Sequence, residues 1–169
     1  MIIIINPNST ESMTQAMLQT AQNECPNITI KGWTSHQGPA AIQGPEDGEA
    51  CLPHLLELVK KASADGASAI IIGCFDDTGL EASRNLATCP VIGIGQAAYH
   101  FASLVGGQFS VITTLSVSLP ILEANVHDYG LSQYLAKVRA SGVEVLALET
   151  NADAAAKRVF QEILLAQKE

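Results

Sequence analysis

A cysteine at position 74 stands directly behind an apolar run, in Ala69-Ile70-Ile71-Ile72-Gly73-Cys74. A thiol at the carboxyl end of a buried strand can do chemistry as the thiolate, provided its ionisation is tuned from the usual pKa of about 8.5. Gly73 permits close approach of a neighbour. A short helix after Gly79 would turn free N–H groups toward the same loop and favour the thiolate. The plainer alternative is a buried structural cysteine, and position alone leaves both readings open. Cys25, Cys51 and Cys89 read as structural. A second polar cluster, Asn6-Pro7-Asn8-Ser9-Thr10, follows the run Ile2 to Ile5. Asn6, Asn8, Ser9 and Thr10 there can grip a carbonyl or an anion together with helix N–H groups. Asn8 with Glu11 also spells a capping box, which by itself would account for Asn8. Thr113 and Thr114 occupy the matching place after Phe109 to Ile112, where two hydroxyls suit a carboxylate or an imide carbonyl. Asp76 and Asp77 read as an acid/base pair or, more simply, as turn and cap residues before Gly79.

Other chemistries find less support. His36, His54, His100 and His127 lie in separate segments without H-x-x-x-H, and the cysteines contain no C-x-x-C, so no metal site is expected. Gly93-x-Gly95 is a fragment of a dinucleotide fingerprint without its third glycine, and no P-loop or G-x-S-x-G occurs. No cofactor is expected. The 169 residues carry 9 basic and 17 acidic side chains, a net charge of −8, with no Lys/Arg cluster to meet a nucleic acid. The early apolar run is too short for a signal peptide or a membrane span, so we expect a cytoplasmic protein with reduced thiols. A composition 47% hydrophobic and 15% charged excludes disorder.

The elements that must position these residues are legible as alternating strands and helices. Continuous β-branched runs at 2–5 and 69–72 are the pattern of strands covered on both faces. Strands are also expected at 28–33, from Val91, at 109–113 and at 143–148. Between them come helices from Met13, at 52–62, after Gly79, at 95–104, at 120–129 and at 153–166. This alternation predicts an α/β fold, doubly wound around a parallel sheet, with ligands beyond the carboxyl ends of the strands. Two lobes are expected, residues 1–94 carrying Cys74 and residues 95–169. The second lobe repeats the order strand, polar loop, helix, strand, helix of the first. The spacing from Asn6 to Cys74, applied from Thr113, puts a counterpart of Cys74 near position 181, past Glu169. The second half is therefore read as incomplete.

Four stretches in this order resemble one family: Ile5-Asn6-Pro7-Asn8-Ser9-Thr10 with Met13-Thr14, Gly73-Cys74-Phe75-Asp76-Asp77-Thr78-Gly79-Leu80, Pro90 to Ala98, and Phe109-Ser110-Val111-Ile112-Thr113-Thr114. They are similar to the hydantoin racemase branch, allantoin racemase included, of the aspartate/glutamate racemase superfamily. The likeness runs from residue 2 to about 168. It implies a pseudo-symmetric two-lobe fold and a cofactor-independent 1,1-proton transfer on a small cyclic ureide or amino-acid derivative. One cysteine from each lobe works on one face of the α-carbon. By the same resemblance Cys74 is the first-lobe acid/base, and Asn6, Phe75, Thr113 and Thr114 contact the substrate and help to stabilise an enolate. The family's second cysteine, in Gly-Cys-Ala-Gly-Met, has no counterpart in the sequence. A one-base decarboxylase or isomerase, or a degenerate module that binds small anions, is the alternative. Apolar edges left uncovered by a missing strand and helix lead us to expect a homo-oligomer.

Overall fold

The computed structural model describes residues 1–168 as two compact units. The first comprises Met1–Ile42 and Glu46–Gly95; the second comprises Gln43–Pro45 and the chain from Gln96 onward.

In the first unit the order is β1 (Ile2–Asn6), α1 (Glu11–Glu24), β2 (Ile30–Thr34), α2 (Pro45–Ala64), β3 (Ala69–Ile72), α3 (Leu80–Leu86) and β4 (Val91–Gly93). The strands form one parallel sheet in the order β2-β1-β3-β4. β1 is therefore a central strand, which is why its isoleucines run without polar interruption: Ile3 and Ile5 are fully buried, as are Ile70 and Ile72 of β3. Leu55 and Val59 of α2 are buried as well. α1 comes down close on the sheet where there is no side chain to hold it off. A Cβ at Gly32 would sit 2.9 Å from Thr14 Cγ2, and one at Gly73 would sit 2.6 Å from Met17 Sδ. Strand order reverses between β1 and β3, and in open parallel sheets the carboxyl side of that reversal is where ligands bind. Asn6 and Gly73-Cys74 are the residues that emerge there.

The second unit contains α4 (Ile94–Gly106) apart from Ile94 and Gly95, which belong to the first unit, then β5 (Phe109–Thr113), α5 (Leu119–Asp128), β6 (Leu135–Ala140), α6 (Ala147–Thr150) and α7 (Ala152–Ala166). β5 and β6 are parallel, with Thr113 opposite Ala140. Their core is Tyr99, Val111, Leu122, Val126, Leu131 and Val138. Tyr99 lies flat over Phe109, with ring centroids 6.0 Å apart. Gln43 and Gly44 belong to this unit because the Gln43 side-chain carbonyl accepts the Val145 N–H at 3.0 Å and Gly44 lies against Val117.

The strand expected at 143–148 is not one. The second strand of this unit is 135–140; of the expected stretch, Val143 and Glu144 are irregular, Val145 and Leu146 form a turn, and Ala147 and Leu148 already lie in α6. The reason lies in two charged residues. Lys137 and Arg139 interrupt the apolar pattern of Leu-Ala-Lys-Val-Arg-Ala, yet Arg139 is held inward by Glu162 of α7 at 2.9 Å. Only Val138 of that strand is buried. Elsewhere the elements lie within two residues of expectation, except α2, which begins at Pro45, seven residues ahead of the helix expected at 52–62. Among the described residues no helix is long and apolar enough to cross a membrane.

Candidate active site

Asn6 ends β1 fully buried, with its side chain turned into the loop that follows. Its amide nitrogen donates to Asn8 Oδ1 at 2.8 Å, to Thr14 Oγ1 at 3.0 Å and to the Thr10 carbonyl at 3.1 Å. Its amide oxygen accepts the Asn8 N–H. Asn8 Oδ1 in turn accepts the Thr10 N–H at 2.9 Å, a local side-chain turn that competes with helix formation. The capping box expected of Asn8 and Glu11 therefore does not form: the helix starts at Glu11 itself, with Thr10 ahead of it and no side-chain cap. The far side of the loop is tied to residues 38–40. Ser9 N–H donates to the Pro39 carbonyl at 2.8 Å and the Thr10 hydroxyl to the Ala40 carbonyl at 2.6 Å. The amide of Asn6 is thus engaged in shaping the loop Asn6–Thr10.

Cys74 leaves β3 one residue after Gly73, whose N–H continues the ladder to the Ile5 carbonyl at 2.8 Å. The cysteine is half-buried, and its Sγ lies 3.5 Å from Thr78 Oγ1. Burial pushes the thiol up, against the opposing pull of the Thr78 hydroxyl, and the nearby Asp76 carboxylate raises it further. The expectation that helix N–H groups would lower it is therefore corrected. α3 has only seven residues, starts at Leu80 behind Gly79 with no side-chain cap, and is outweighed by desolvation. Cys51, in the second turn of α2, belongs to the same neighbourhood. It is fully buried, donates to the Gly48 carbonyl at 3.2 Å, and is pushed up to about 12 by burial and by the negative charge that Cys74 would carry. Phe75 is 36% exposed.

Thr113 and Thr114 belong to the second unit, both half-buried at the carboxyl end of β5. Their carbonyls accept the Ser141 and Gly142 N–H groups at 2.9 and 2.8 Å. The match to the first unit is specific. There the Ser35 N–H donates to the Asn6 carbonyl at 3.0 Å, one residue past the end of β2, just as Ser141 N–H donates to Thr113 one residue past β6. Thr113 is to the second unit what Asn6 is to the first, which is the internal echo of the sequence with its second strand moved to 135–140. Thr14 and Thr78, which hold Asn6 and Cys74, were not singled out by residue type. Thr78, four residues beyond Cys74, was the one with a readable spacing. Among the described residues no three His, Cys, Asp or Glu side chains are placed to share a metal ion.

Fold and site together define a parallel α/β protein with a thiol at the reversal point of its first sheet and a polar loop on the adjoining strand. The chain matches Asp/Glu/hydantoin racemase over residues 2–169, and it belongs to that family. It is 41% identical over 175 residues to a hydantoin racemase of Rhizobium meliloti, covering 99% of this chain and 70% of the relative. A hydantoin racemase of Pseudomonas sp. is 32% identical, covering 95% of this chain and 65% of its own length. The solved structure of allantoin racemase from Klebsiella pneumoniae superposes with a TM-score of 0.95 at 35% identity, covering 99% of this chain and 69% of that one. The chain thus spans roughly two thirds of the length of these relatives.

Proposed function

We propose that the chain carries the Cys74 half of a cofactor-independent racemase site, acting on the α-carbon of a small cyclic ureide such as a hydantoin or allantoin, or of an amino-acid derivative. The observation that carries this reading is the placement of Cys74 directly after β3 at the strand-order reversal, beside the strand that ends in Asn6, with its Sγ 3.5 Å from the Thr78 hydroxyl. Burial favours the resting thiol, so Cys74 first gives its proton to solvent and then meets the substrate as the base. The thiolate, stabilised by the Thr78 hydroxyl, takes the α-proton while the C–H electron pair moves into the enolate, and the resulting thiol returns a proton to the same face, breaking its S–H bond as the C–H bond forms. Asn6 contributes through the loop it shapes, Phe75 by covering the ring of the substrate. Thr113 and Thr114 supply hydroxyls to its carbonyl or carboxylate oxygens, where donors to a developing enolate give the largest catalytic effect. Residues 1–94 and 95–169 are the two lobes in this reading.

Racemisation needs proton delivery to the face opposite the one deprotonated, and one thiol serves one face. A positioned acid or base contributes roughly 10²–10⁴-fold, so this 169-residue chain should exchange the α-proton faster than it inverts the centre, by a factor of that order. The test uses separate enantiomers of a 5-substituted hydantoin and of allantoin in D₂O. Loss of the α-proton signal is followed against optical rotation and corrected for spontaneous exchange. Exchange of one enantiomer ahead of its inversion, abolished in Cys74→Ser, is the expected result. Equal rates of exchange and inversion from both enantiomers would reveal a second base and overturn the one-thiol part of this reading. Binding without any exchange would favour the small-anion module instead.

Two further parts of this reading concern the setting. The chain works in the cytoplasm, in keeping with four cysteines that are all unpaired. It self-associates, through apolar side chains such as Phe101, Leu104 and Val105 of α4, which are 69%, 84% and 72% exposed. A clean monomer in sedimentation at micromolar concentration would remove the second statement.

A further inference from the structure

Two residues after Phe75 the backbone does something uncommon. Asp77 has φ +51, the left-handed region that side chains other than glycine rarely enter, and it is buried with 6% exposure. If only the turn mattered, glycine would serve best, as it does at Gly79 with φ +71. An aspartate kept there, with its carboxylate out of water, must be used through its side chain. Asp77 Oδ1 accepts the Gly95 N–H at 3.0 Å, in the first turn of α4. That N–H is one of the four at a helix start with no partner inside the helix, and a carboxylate is favoured there by the helix dipole. The approach is possible only because two glycines make room. A Cβ at Gly93 would run into Asp77 Oδ1, and one at Gly95 would meet Asp77 Oδ2 at 2.8 Å and run into the Phe75 carbonyl. At its other end the same residue closes the turn that bears the thiol: Asp77 N–H donates to the Cys74 carbonyl at 3.1 Å, and the Asp77 carbonyl accepts the Leu80 N–H at 3.0 Å.

The geometry points to Asp77 as the positioning residue for Cys74: its carboxylate clamps the turn Cys74–Asp77 to the start of α4, and Gly93-x-Gly95 is the gap that admits it. The glycine pair that looks like a piece of a dinucleotide fingerprint thereby has a different use, to receive a carboxylate of its own chain. The inference deepens the reading of Cys74 as acid/base and rests on it, but its test reads thiol chemistry and amide exchange, so a failure of turnover leaves it intact.

The test compares Asp77→Gly, which suits the backbone and removes the acceptor, with Asp77→Asn, which tolerates the same φ and keeps Oδ1. Alkylation of Cys74 by iodoacetamide is followed as a function of pH by peptide mapping of the full chain. In Asp77→Gly the turn is released, the thiol is less enclosed, and its profile should move to lower pH with a rate about tenfold higher at neutrality, while Asp77→Asn keeps the parent profile. A profile unmoved or moved upward in Asp77→Gly overturns the assignment, and so does an Asp77→Asn profile displaced as far as that of the glycine variant. Should Asp77→Gly not fold, the parent protein supplies the answer by hydrogen exchange. The Gly95 amide should be protected, and carboxamidomethylation of Cys74 should speed its exchange about tenfold, because coupling between two sites is reciprocal. An unprotected Gly95 amide, or one indifferent to the modification, overturns it.

Discussion

The amide nitrogen of Asn6 donates to the hydroxyl of Thr14 at 3.0 Å, and that hydroxyl lies 2.7 Å from Thr34 Oγ1. β1, α1 and β2 are thus joined by side chains at the level of the site. Removing the amide in Asn6→Ala leaves the buried Asn8 N–H without this acceptor and takes one donor from the Thr10 carbonyl and one from the Thr14 hydroxyl. We expect a loss of about 1–3 kcal/mol, read as a lower urea midpoint by the fluorescence of Trp33, the single tryptophan. Asn6→Asp should be worse than Ala, because a carboxylate would then face Asn8 Oδ1 and the Thr10 carbonyl.

Labelling order separates accessibility from position. A cysteine at a strand end before a helix is expected to react ahead of its neighbours. Burial argues for the opposite order: Cys74 is half-buried and burial raises its thiol, whereas Cys25 is exposed. Limiting iodoacetamide at neutral pH should therefore mark Cys25 first, Cys74 later and Cys51 last. Cys74 labelled ahead of Cys25 in the free protein would contradict the burial argument.

Alkaline pH should weaken the fold through the same two thiols. Both are raised by burial from 9.0, Cys51 to about 12, so the folded chain keeps protons that the unfolded chain releases. Their contribution to stability is whole below pH 9 and is lost as pH rises toward the folded values, at up to about 1.4 kcal/mol per pH unit for each thiol. Urea midpoints measured upward from pH 8 should fall faster for the parent than for Cys51→Ala. Parallel slopes would show that Cys51 ionises as readily in the fold as outside it.

The second unit depends on a buried carboxylate. Glu162 receives Arg139 at 2.9 Å and Arg158 at 3.1 Å. Glu162→Ala leaves the inward-held Arg139 without this counter-charge, and breaking such a pair from one side costs about 3–5 kcal/mol. All three tyrosines, Tyr99, Tyr129 and Tyr134, lie in this unit and Trp33 lies in the other. The loss should appear first in the near-ultraviolet tyrosine signal, and a coincident early change in Trp33 fluorescence would mean that the effect is not confined to the second unit.

What the sequence could show of this protein follows from where the signals are local. The β1 and β3 runs are readable because a strand covered on both faces has nothing but apolar side chains. The loop after each is readable because Asn, Pro, Gly and Asp change the backbone by themselves. β6 was hidden because its identity rests on a partner: Arg139 looks like a break in the pattern until Glu162, in a helix well down the chain, is seen to hold it. Asn8 and Glu11 spell a cap, yet the Asn8 oxygen is already taken by Asn6 and Thr10. Cys74 was legible as a residue in the right place. Its ionisation was not, because desolvation depends on what surrounds the sulfur rather than on what precedes it in the chain.

The central position of β1 has a consequence for how the chain is made. Ile2 is in register with Ile30 on one side and with Ala69 on the other. β1 leaves the ribosome ahead of both, and its second edge has no partner until β3 has been synthesised. At about 5–20 residues per second, the four isoleucines wait on the order of several seconds with one row of backbone groups unpaired. A chaperone that holds apolar nascent segments finds its natural substrate in Ile2 to Ile5, and synthesis slowed between Ile30 and Ala69 would lengthen that exposure and favour aggregation over folding.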